Sequence, residues 1–208
     1  MLGATGLIGS FLLGRLLDSP RYSRVDVLAR RAVAISNPKA VVEVVKFENL
    51  QGHHSNAEDI YCCLGTTIKQ AGSQQAFRRV DYDYPVALAR AAARDGAKRL
   101  LVVSALGADA QSKIFYNRVK GEMEEAVRAA GVARTFFFRP SLLSGPRAEP
   151  RMGERVGLVI GAALGPLLGK YRPIHADLVA AAMLRAAGRD LPAQVFESSQ
   201  IRLLAQSS

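Results

Sequence analysis

Residues 1–10 read MLGATGLIGS, and they place Gly3, Gly6 and Gly9 at a regular three-residue spacing where an apolar helical pattern begins. This arrangement suits a dinucleotide pyrophosphate. One glycine makes the tight turn, the next lets the backbone approach the phosphates, and the third lets the helix pack close to a sheet. The unpaired N–H groups of the helix N-terminus then face the anion. Glycines at such a spacing also occur in plain turns and helix contacts, so the later segments decide the reading.

Beyond the loop, helical and strand-like segments alternate along the chain. Residues 24–29, 40–47, 59–65, 98–106 and 134–143 are rich in β-formers, and residues 6–19, 76–96 and 115–131 have helical spacing. This alternation predicts an α/β fold, a doubly wound parallel Rossmann sheet with a small C-terminal cap. We expect residues 1–139 to form the NAD(P)-binding domain and residues 140–208 a small substrate cap packed on it.

The fold raises a question about its first strand. In the strand order 3-2-1-4-5-6 the first strand is central, yet Met1 and Leu2 supply only its last two positions. A typical strand has about five residues. The domain therefore begins with a strand that is truncated in this sequence, and we expect the natural protein to have an apolar strand upstream, unless the chain starts here at a cost in stability and cofactor affinity.

The end of the second strand bears on the choice of cofactor. An acidic residue there binds the ribose 2′-OH of NAD, whereas an arginine suits the 2′-phosphate of NADP. Arg30 and Arg31 follow the strand, no acid comes after them, and Asp26 lies too early. The pattern favours NADP(H), although two arginines can also simply occupy an exposed turn.

A second set of residues carries acid–base chemistry. Tyr116 and Lys120 are four apart on a predicted helix and share one face, and Ser104 ends the preceding strand at the ligand-binding edge of the sheet. A nearby lysine lowers the pKa of a tyrosine that must donate a proton to a carbonyl oxygen. By itself the Tyr–Lys pair is typical of an ordinary helix surface; together with the glycine loop it indicates a reductase site.

These motifs carry a family resemblance. GATGLIG, VVSALGAD, YNRVK and FRPSLLSGPR together resemble the extended or atypical short-chain dehydrogenase/reductase superfamily, and CCLGTTIKQAG with FRRVDYDYP is similar to its Tat-interacting-protein-like branch. The resemblance implies Ser104, Tyr116 and Lys120 as catalytic residues. Asp81 stands where many members have a relay asparagine. The predicted cofactor-binding residues are Gly3, Thr5, Gly6, Leu7, Ile8, Gly9, Arg30, Arg31, Cys63, Leu64, Gly65, Thr66, Tyr116, Lys120, Pro140, Leu142 and Leu143.

Composition narrows the classes of partner, cofactor and cellular setting that remain possible. The net charge is +10, but the basic residues are dispersed and not interleaved with aromatics, which argues against nucleic acid as a partner. No apolar run reaches the roughly 20 residues of a membrane helix. Cys62 and Cys63 are adjacent, which excludes a disulfide framework and favours a reducing, cytoplasmic setting with inert buried thiols. The three histidines have no metal-site spacing, so no metal is expected.

The sequence thus predicts an NADPH-dependent oxidoreductase that transfers hydride to a small carbonyl substrate with Tyr116 as proton donor. Two alternatives stay open: an NADPH-binding redox sensor or scaffold acting through a protein partner, and a nucleotide-sugar epimerase or dehydratase. A homodimer is compatible with the fold. In the cap, Arg147, Arg151 and Arg155 recur every four residues; they form either a stripe facing an anionic substrate or a solvated surface.

Overall fold

The computed structural model describes residues 1–146, 172–192 and 194–207. Parallel strands form the main sheet in the order β2, β1, Leu2, β3, β4, β5, β8. The strands are β1 (Val25–Ala29), β2 (Ala40–Val44), β3 (Asp59–Cys62), β4 (Arg99–Val103), β5 (Arg134–Arg139) and β8 (Gln194–Glu197), with β6 (Leu143–Ser144) and β7 (Ile174–His175) paired separately. The predicted doubly wound parallel sheet is confirmed.

Helices cover both faces of this sheet. They are α1 (Leu7–Asp18), α2 (Ile68–Ala71), α3 (Gln74–Arg78), α4 (Tyr84–Arg94), α5 (Phe115–Ala129), α6 (Ala176–Gly188) and α7 (Ser198–Gln206), with a 3₁₀ helix at Phe47–Gly52 and a π-helix at Arg79–Asp83. The β4 side chains alternate between the two layers: Leu101 and Val103 pack with α1 and α6, while Leu100 and Val102 pack with α4 and α5. This alternation follows from the two-residue period of a strand buried on both faces.

Leu2 occupies the centre of the sheet. Its N–H donates to the Tyr61 carbonyl at 2.8 Å, and its carbonyl accepts from the Cys63 N–H at 3.0 Å. On the other side the Leu28 N–H donates to the Met1 carbonyl at 3.0 Å. The glycine loop therefore leaves the sheet between β1 and β3, the place where a Rossmann fold binds its nucleotide.

The helix predicted over residues 76–96 is not continuous. It consists of α3, the π-helix and α4. Pro85 lies at the start of α4 and has no N–H to donate to the carbonyl four residues earlier, that of Asp81. The chain widens there into a π-turn, and this turn carries the buried Asp81.

The segment after Pro140 shares the core of the sheet. Strand β8 extends the sheet beyond β5, and α6 packs on α1, with Arg15 and Asp177 joined at 2.8 Å. The predicted arginine stripe (Arg147, Arg151 and Arg155) and the apolar residues 156–168 of the cap lie outside the described residues. None of the helices in the described part of the chain is both long and apolar enough to span a bilayer.

Candidate active site

A cavity of about 820 Å³ lies at the carboxyl edge of the sheet, between the glycine loop and the ends of β3, β4 and β5. The predicted site residues that line it are Thr5, Gly6, Leu7, Ile8, Cys63, Leu64, Gly65, Thr66, Ser104, Tyr116, Lys120, Pro140, Leu142 and Leu143. The fold thus brings together residues from five separate parts of the chain. The other four predicted residues do not line the cavity. Gly3 and Gly9 make close backbone contacts within the glycine loop, and Arg30 and Arg31 follow β1.

The glycine loop is built from close backbone contacts. Gly3 has φ +82°, and a Cβ on it would lie 2.6 Å from the Cys63 carbonyl carbon. A Cβ on Gly9 would lie 1.9 Å from the Gly3 carbonyl oxygen. Helix α1 begins at Leu7 with Gly6 as its N-cap, and no side chain caps it. The first-turn N–H groups of α1 therefore fit a phosphate group, as a dinucleotide cofactor requires.

One face of α5 carries the acid–base residues. Tyr116 is half-buried, and its ring packs against Phe77 with 5.3 Å between centroids. One turn later Lys120 is almost fully buried, and two turns later Glu124 is buried as well. Sequence reasoning missed Glu124, although its position four residues after Lys120 was the available signal.

Asp81 holds Lys120. The Asp81 carboxylate lies 2.8 Å from the Lys120 ammonium, and its other oxygen accepts from the Thr66 N–H at 2.9 Å. Burial by itself lowers the pKa of Lys120, but the charges of Asp81 and Tyr116 outweigh burial, and the pKa is raised above its usual value. Lys120 is thus a cation at neutral pH, and Asp81 links it to the loop that follows β3.

Ser104 ends β4 beside a second buried carboxylate. Its hydroxyl donates to Glu124 at 2.6 Å. Arg139 donates to both oxygens of Glu124, from Nε at 2.8 Å and from Nη2 at 2.7 Å. The pKa of Arg139 is raised, chiefly by this hydrogen bond to Glu124. Ser104 is therefore held by a carboxylate that is itself paired with Arg139.

Near the end of β1, where the ribose of the cofactor is expected, the structure has both basic and acidic side chains. Arg30 and Arg31 directly follow β1 and are exposed, as predicted, and Arg30 lies over the Phe47 ring at 5.8 Å. The fold also brings Glu48, from the 3₁₀ helix, within electrostatic range of Arg30. No acidic residue directly follows Arg31 in the sequence, so the carboxylate of Glu48 could be placed near Arg30 only from the folded chain.

The two cysteines are poor nucleophiles. Burial raises the pKa of the Cys62 thiol to about 11, and burial with the neighbouring Cys62 raises that of Cys63 further. Cys63 lines the cavity as an uncharged thiol. Within the described residues no group of three or more His, Cys, Asp or Glu side chains has the arrangement of a metal site.

The fold and the glycine cradle define a nucleotide-binding protein of the Rossmann class. A family model described as NAD(P)H-binding matches residues 3–188, which is most of the chain. The protein belongs to this NAD(P)H-binding family.

Curated relatives come from fungi. Protein fmp52, mitochondrial, of Emericella nidulans is 34% identical over 160 residues, covering 73% of this chain and 69% of that protein. Protein FMP52, mitochondrial, of Coccidioides immitis is 36% identical over 167 residues, covering 73% and 68%. These names contradict the expectation of a cytoplasmic protein, which is therefore wrong. That expectation rested on unpaired cysteines, which indicate redox state but do not specify an organelle.

Solved structures share the fold at low identity. MoeE5 in complex with UDP-glucose and NAD has a TM-score of 0.72 at 18% identity, covering 96% of this chain and 78% of its own. UDP-glucuronic acid 4-epimerase from Bacillus cereus in complex with NAD has a TM-score of 0.69 at 13% identity, covering 94% and 76%. These neighbours belong to the extended short-chain dehydrogenase/reductase family. The narrower Tat-interacting branch is not confirmed and stays a prediction.

Proposed function

We propose that this protein is an NADPH-dependent reductase of a small carbonyl compound. The observation that carries the proposal is the shared cavity: the glycine loop borders it on one side, and Ser104, Tyr116 and Lys120 border it on the other. Membership of the NAD(P)H-binding family supports the cofactor class. The resemblance to short-chain reductases supports the division of roles among the three side chains.

Each of the three residues has a chemical task in this proposal. The nicotinamide, when bound, supplies a hydride. Tyr116 donates a proton to the carbonyl oxygen, and Ser104 positions the hydroxyl group that forms there. The buried charge of Lys120 stabilises the phenolate that remains and holds the nicotinamide ribose. Residues 140–143 then flank the nicotinamide.

The preference for NADPH over NADH rests on Arg30 and Arg31. Both are exposed at the end of β1, where a 2′-phosphate is expected. We expect Arg31→Ala to weaken NADPH binding by about tenfold and to leave NADH binding unchanged, because one charge-assisted contact is lost. Fluorescence titration measures both constants, with the exposed Arg90→Ala on α4 as control. Equal weakening of both cofactors would argue against a phosphate contact.

The decisive test is removal of the proton donor. Tyr116→Phe should lower turnover of a panel of aldehydes and ketones by about 100-fold or more and leave the Kd for NADPH within about twofold. Tyr82→Phe is the control, because it keeps a ring beneath Arg78 away from the cavity lining. Full turnover by Tyr116→Phe would contradict the assigned role. NADPH binding by the wild type without turnover of any carbonyl would favour a redox sensor that acts through a protein partner.

A nucleotide-sugar epimerase is the second candidate. Of the two structural neighbours named above, MoeE5 is in complex with UDP-glucose and NAD, and the other is a UDP-glucuronic acid 4-epimerase in complex with NAD. Such a reaction oxidises the sugar and then reduces it again, so the cofactor shows no net change in oxidation state and the two candidates differ in a simple readout. Interconversion of UDP-glucose and UDP-galactose with NAD⁺ or NADP⁺ present, without accumulation of reduced cofactor, would support the epimerase. Stoichiometric loss of NADPH absorbance with an aldehyde would support the reductase.

A further inference from the structure

Glu124 is a buried carboxylate to which the proposed reaction assigns no task. It is 1% exposed, and it faces the cavity only through Ser104. One of its oxygens accepts from Ser104 Oγ and from Arg139 Nε, and the other from Arg139 Nη2, with an Arg128 nitrogen at 3.5 Å. Two guanidinium groups thus balance a single carboxylate.

This arrangement fixes the direction of the Ser104 hydrogen bond. A carboxylate in contact with guanidinium groups is an acceptor only, and a serine hydroxyl has a single hydrogen to donate. The 2.6 Å contact therefore uses the Ser104 proton. What Ser104 Oγ offers the cavity is lone pairs.

We infer that Glu124 is a positioning residue that makes Ser104 a hydrogen-bond acceptor toward the ligand, so that the site favours a hydroxyl group over a carbonyl group. This inference rests on the proposed function, because it concerns the oxygen on which Tyr116 acts. An alcohol oxygen accepts the Tyr116 proton in a hydrogen bond and donates its own hydrogen to Ser104. A carbonyl oxygen has no hydrogen and meets the Ser104 lone pairs directly.

The prediction concerns affinity, so complexes that cannot react provide the test. We would measure 4-nitrobenzyl alcohol binding to the NADPH complex and 4-nitrobenzaldehyde binding to the NADP⁺ complex by isothermal titration calorimetry. Ser104→Ala should weaken alcohol binding by about tenfold, the equivalent of one hydrogen bond. Aldehyde binding should stay within about twofold. Weakening of aldehyde binding instead would overturn the inference, because Ser104 would then be a donor.

Glu124→Gln tests whether the carboxylate sets this polarity. With its oxygen facing the two guanidinium Nη2 groups, its amide NH₂ would face Ser104 Oγ and also the Arg139 Nε–H. The NH₂ would then donate to Ser104 and free the serine proton for the cavity, while the facing Nε–H would lower the stability of the fold. The alcohol-to-aldehyde affinity ratio should then fall by about tenfold. The exposed Glu125→Gln on the same helix should leave it unchanged, and adding Glu124→Gln to Ser104→Ala should change nothing further. An unchanged ratio in a folded Glu124→Gln, checked by thermal unfolding, would overturn the role of Glu124.

The same measurements separate this inference from the proposed function. Loss of NADPH absorbance with 4-nitrobenzaldehyde reports turnover, whereas the affinity ratio reports Ser104 polarity without turnover. Binding with the expected ratio but no turnover would reject the reductase and retain the inference. Turnover together with an alcohol-to-aldehyde affinity ratio that Ser104→Ala does not change would retain the reductase and reject the inference. If neither probe binds either cofactor complex, the hydroxyl-selective site is rejected.

Discussion

The two edges of the sheet each have a cavity, and the cavities are of similar volume, about 820 Å³ at the carboxyl edge and about 700 Å³ at the amino edge. The amino-edge cavity also contains buried polar residues. Asp59 accepts from Tyr22 at 2.6 Å and from Arg99 at 2.8 Å, and the hydroxyls of Tyr22 and Tyr61 are 2.7 Å apart. Burial, more than the nearby Asp59, raises the pKa of Tyr22 to about 12.

The two edges differ in what their polar groups face, which is other side chains at the amino edge and the cavity at the carboxyl edge. At the amino edge Asp59, Tyr22 and Tyr61 form hydrogen bonds with one another and with Arg99, which stabilises the fold. At the carboxyl edge the first turn of α1 has no side-chain cap, and Ser104 presents lone pairs to the cavity. Hydrogen-bonding capacity directed at a cavity, not the volume of the cavity, marks the side on which a ligand binds.

The largest expected effect comes from adding a side chain at Gly9 in the glycine loop. A Cβ at Gly9 would overlap the Gly3 carbonyl, so Gly9→Ala should cost about 3 kcal/mol of unfolding free energy and weaken NADPH binding by about 100-fold or more. Urea denaturation and fluorescence titration measure the two effects. Gly14→Ala in the same helix meets no atom within 4 Å and should be neutral or stabilising by up to about 1 kcal/mol. If the two variants have equal stability and equal NADPH affinity, the glycine loop is not part of the cofactor site.

A smaller effect, confined to stability, is expected at the amino edge. Asp59→Asn weakens the pairing with Arg21 and Arg99 and should cost about 2 kcal/mol of unfolding free energy. The NADPH affinity and turnover of the folded variant should match the wild type within about twofold. The exposed Asp18→Asn serves as control in urea denaturation. Loss of NADPH affinity in Asp59→Asn would show that the two edges are not independent.

The smallest expected effect on activity is a shift in pH dependence at Asp81, measured on the folded variant because loss of a buried ion pair also destabilises the fold. In Asp81→Asn burial is no longer outweighed, so the pKa of Lys120 falls and its charge is lost at lower pH. Turnover, which needs this cation, should decline on the alkaline side at a lower pH than in the wild type. The exposed Asp83→Asn should leave the pH profile of kcat unchanged. An alkaline limb at the same pH in Asp81→Asn would mean that Asp81 does not sustain the Lys120 charge.

Local patterns predicted much of the fold. The apolar run of β4 and the helical spacing of α5 are strong periodic signals, and Pro140 ends β5 as expected. The glycine spacing located the loop because its geometry is local to nine residues. The π-turn was missed, since Pro85 is tolerated at a helix start and nothing in the periodicity separates a broken helix from a continuous one.

Contacts between distant segments explain what the sequence could not predict in the site. Ser104, Tyr116 and Lys120 were predicted from spacing and residue type, and the fold places all three at one cavity. The partners that set their polarity come from far along the chain: Asp81 lies on the π-turn, and Arg139 ends β5. Glu48 likewise reaches the nucleotide end only through the fold, which is why sequence proximity failed to find an acid there.

The π-turn at Arg79–Asp83 has a consequence for the evolution of this chain. A π-turn contains one residue more than the α-helical path it replaces. Deleting a single residue there would restore a regular helix and rotate the preceding segment by about 100° relative to α4. The carboxylate of Asp81 would then leave Lys120 while every strand kept its place. Insertion or deletion of one codon at this position would therefore change the environment of the lysine before it changed the architecture of the sheet.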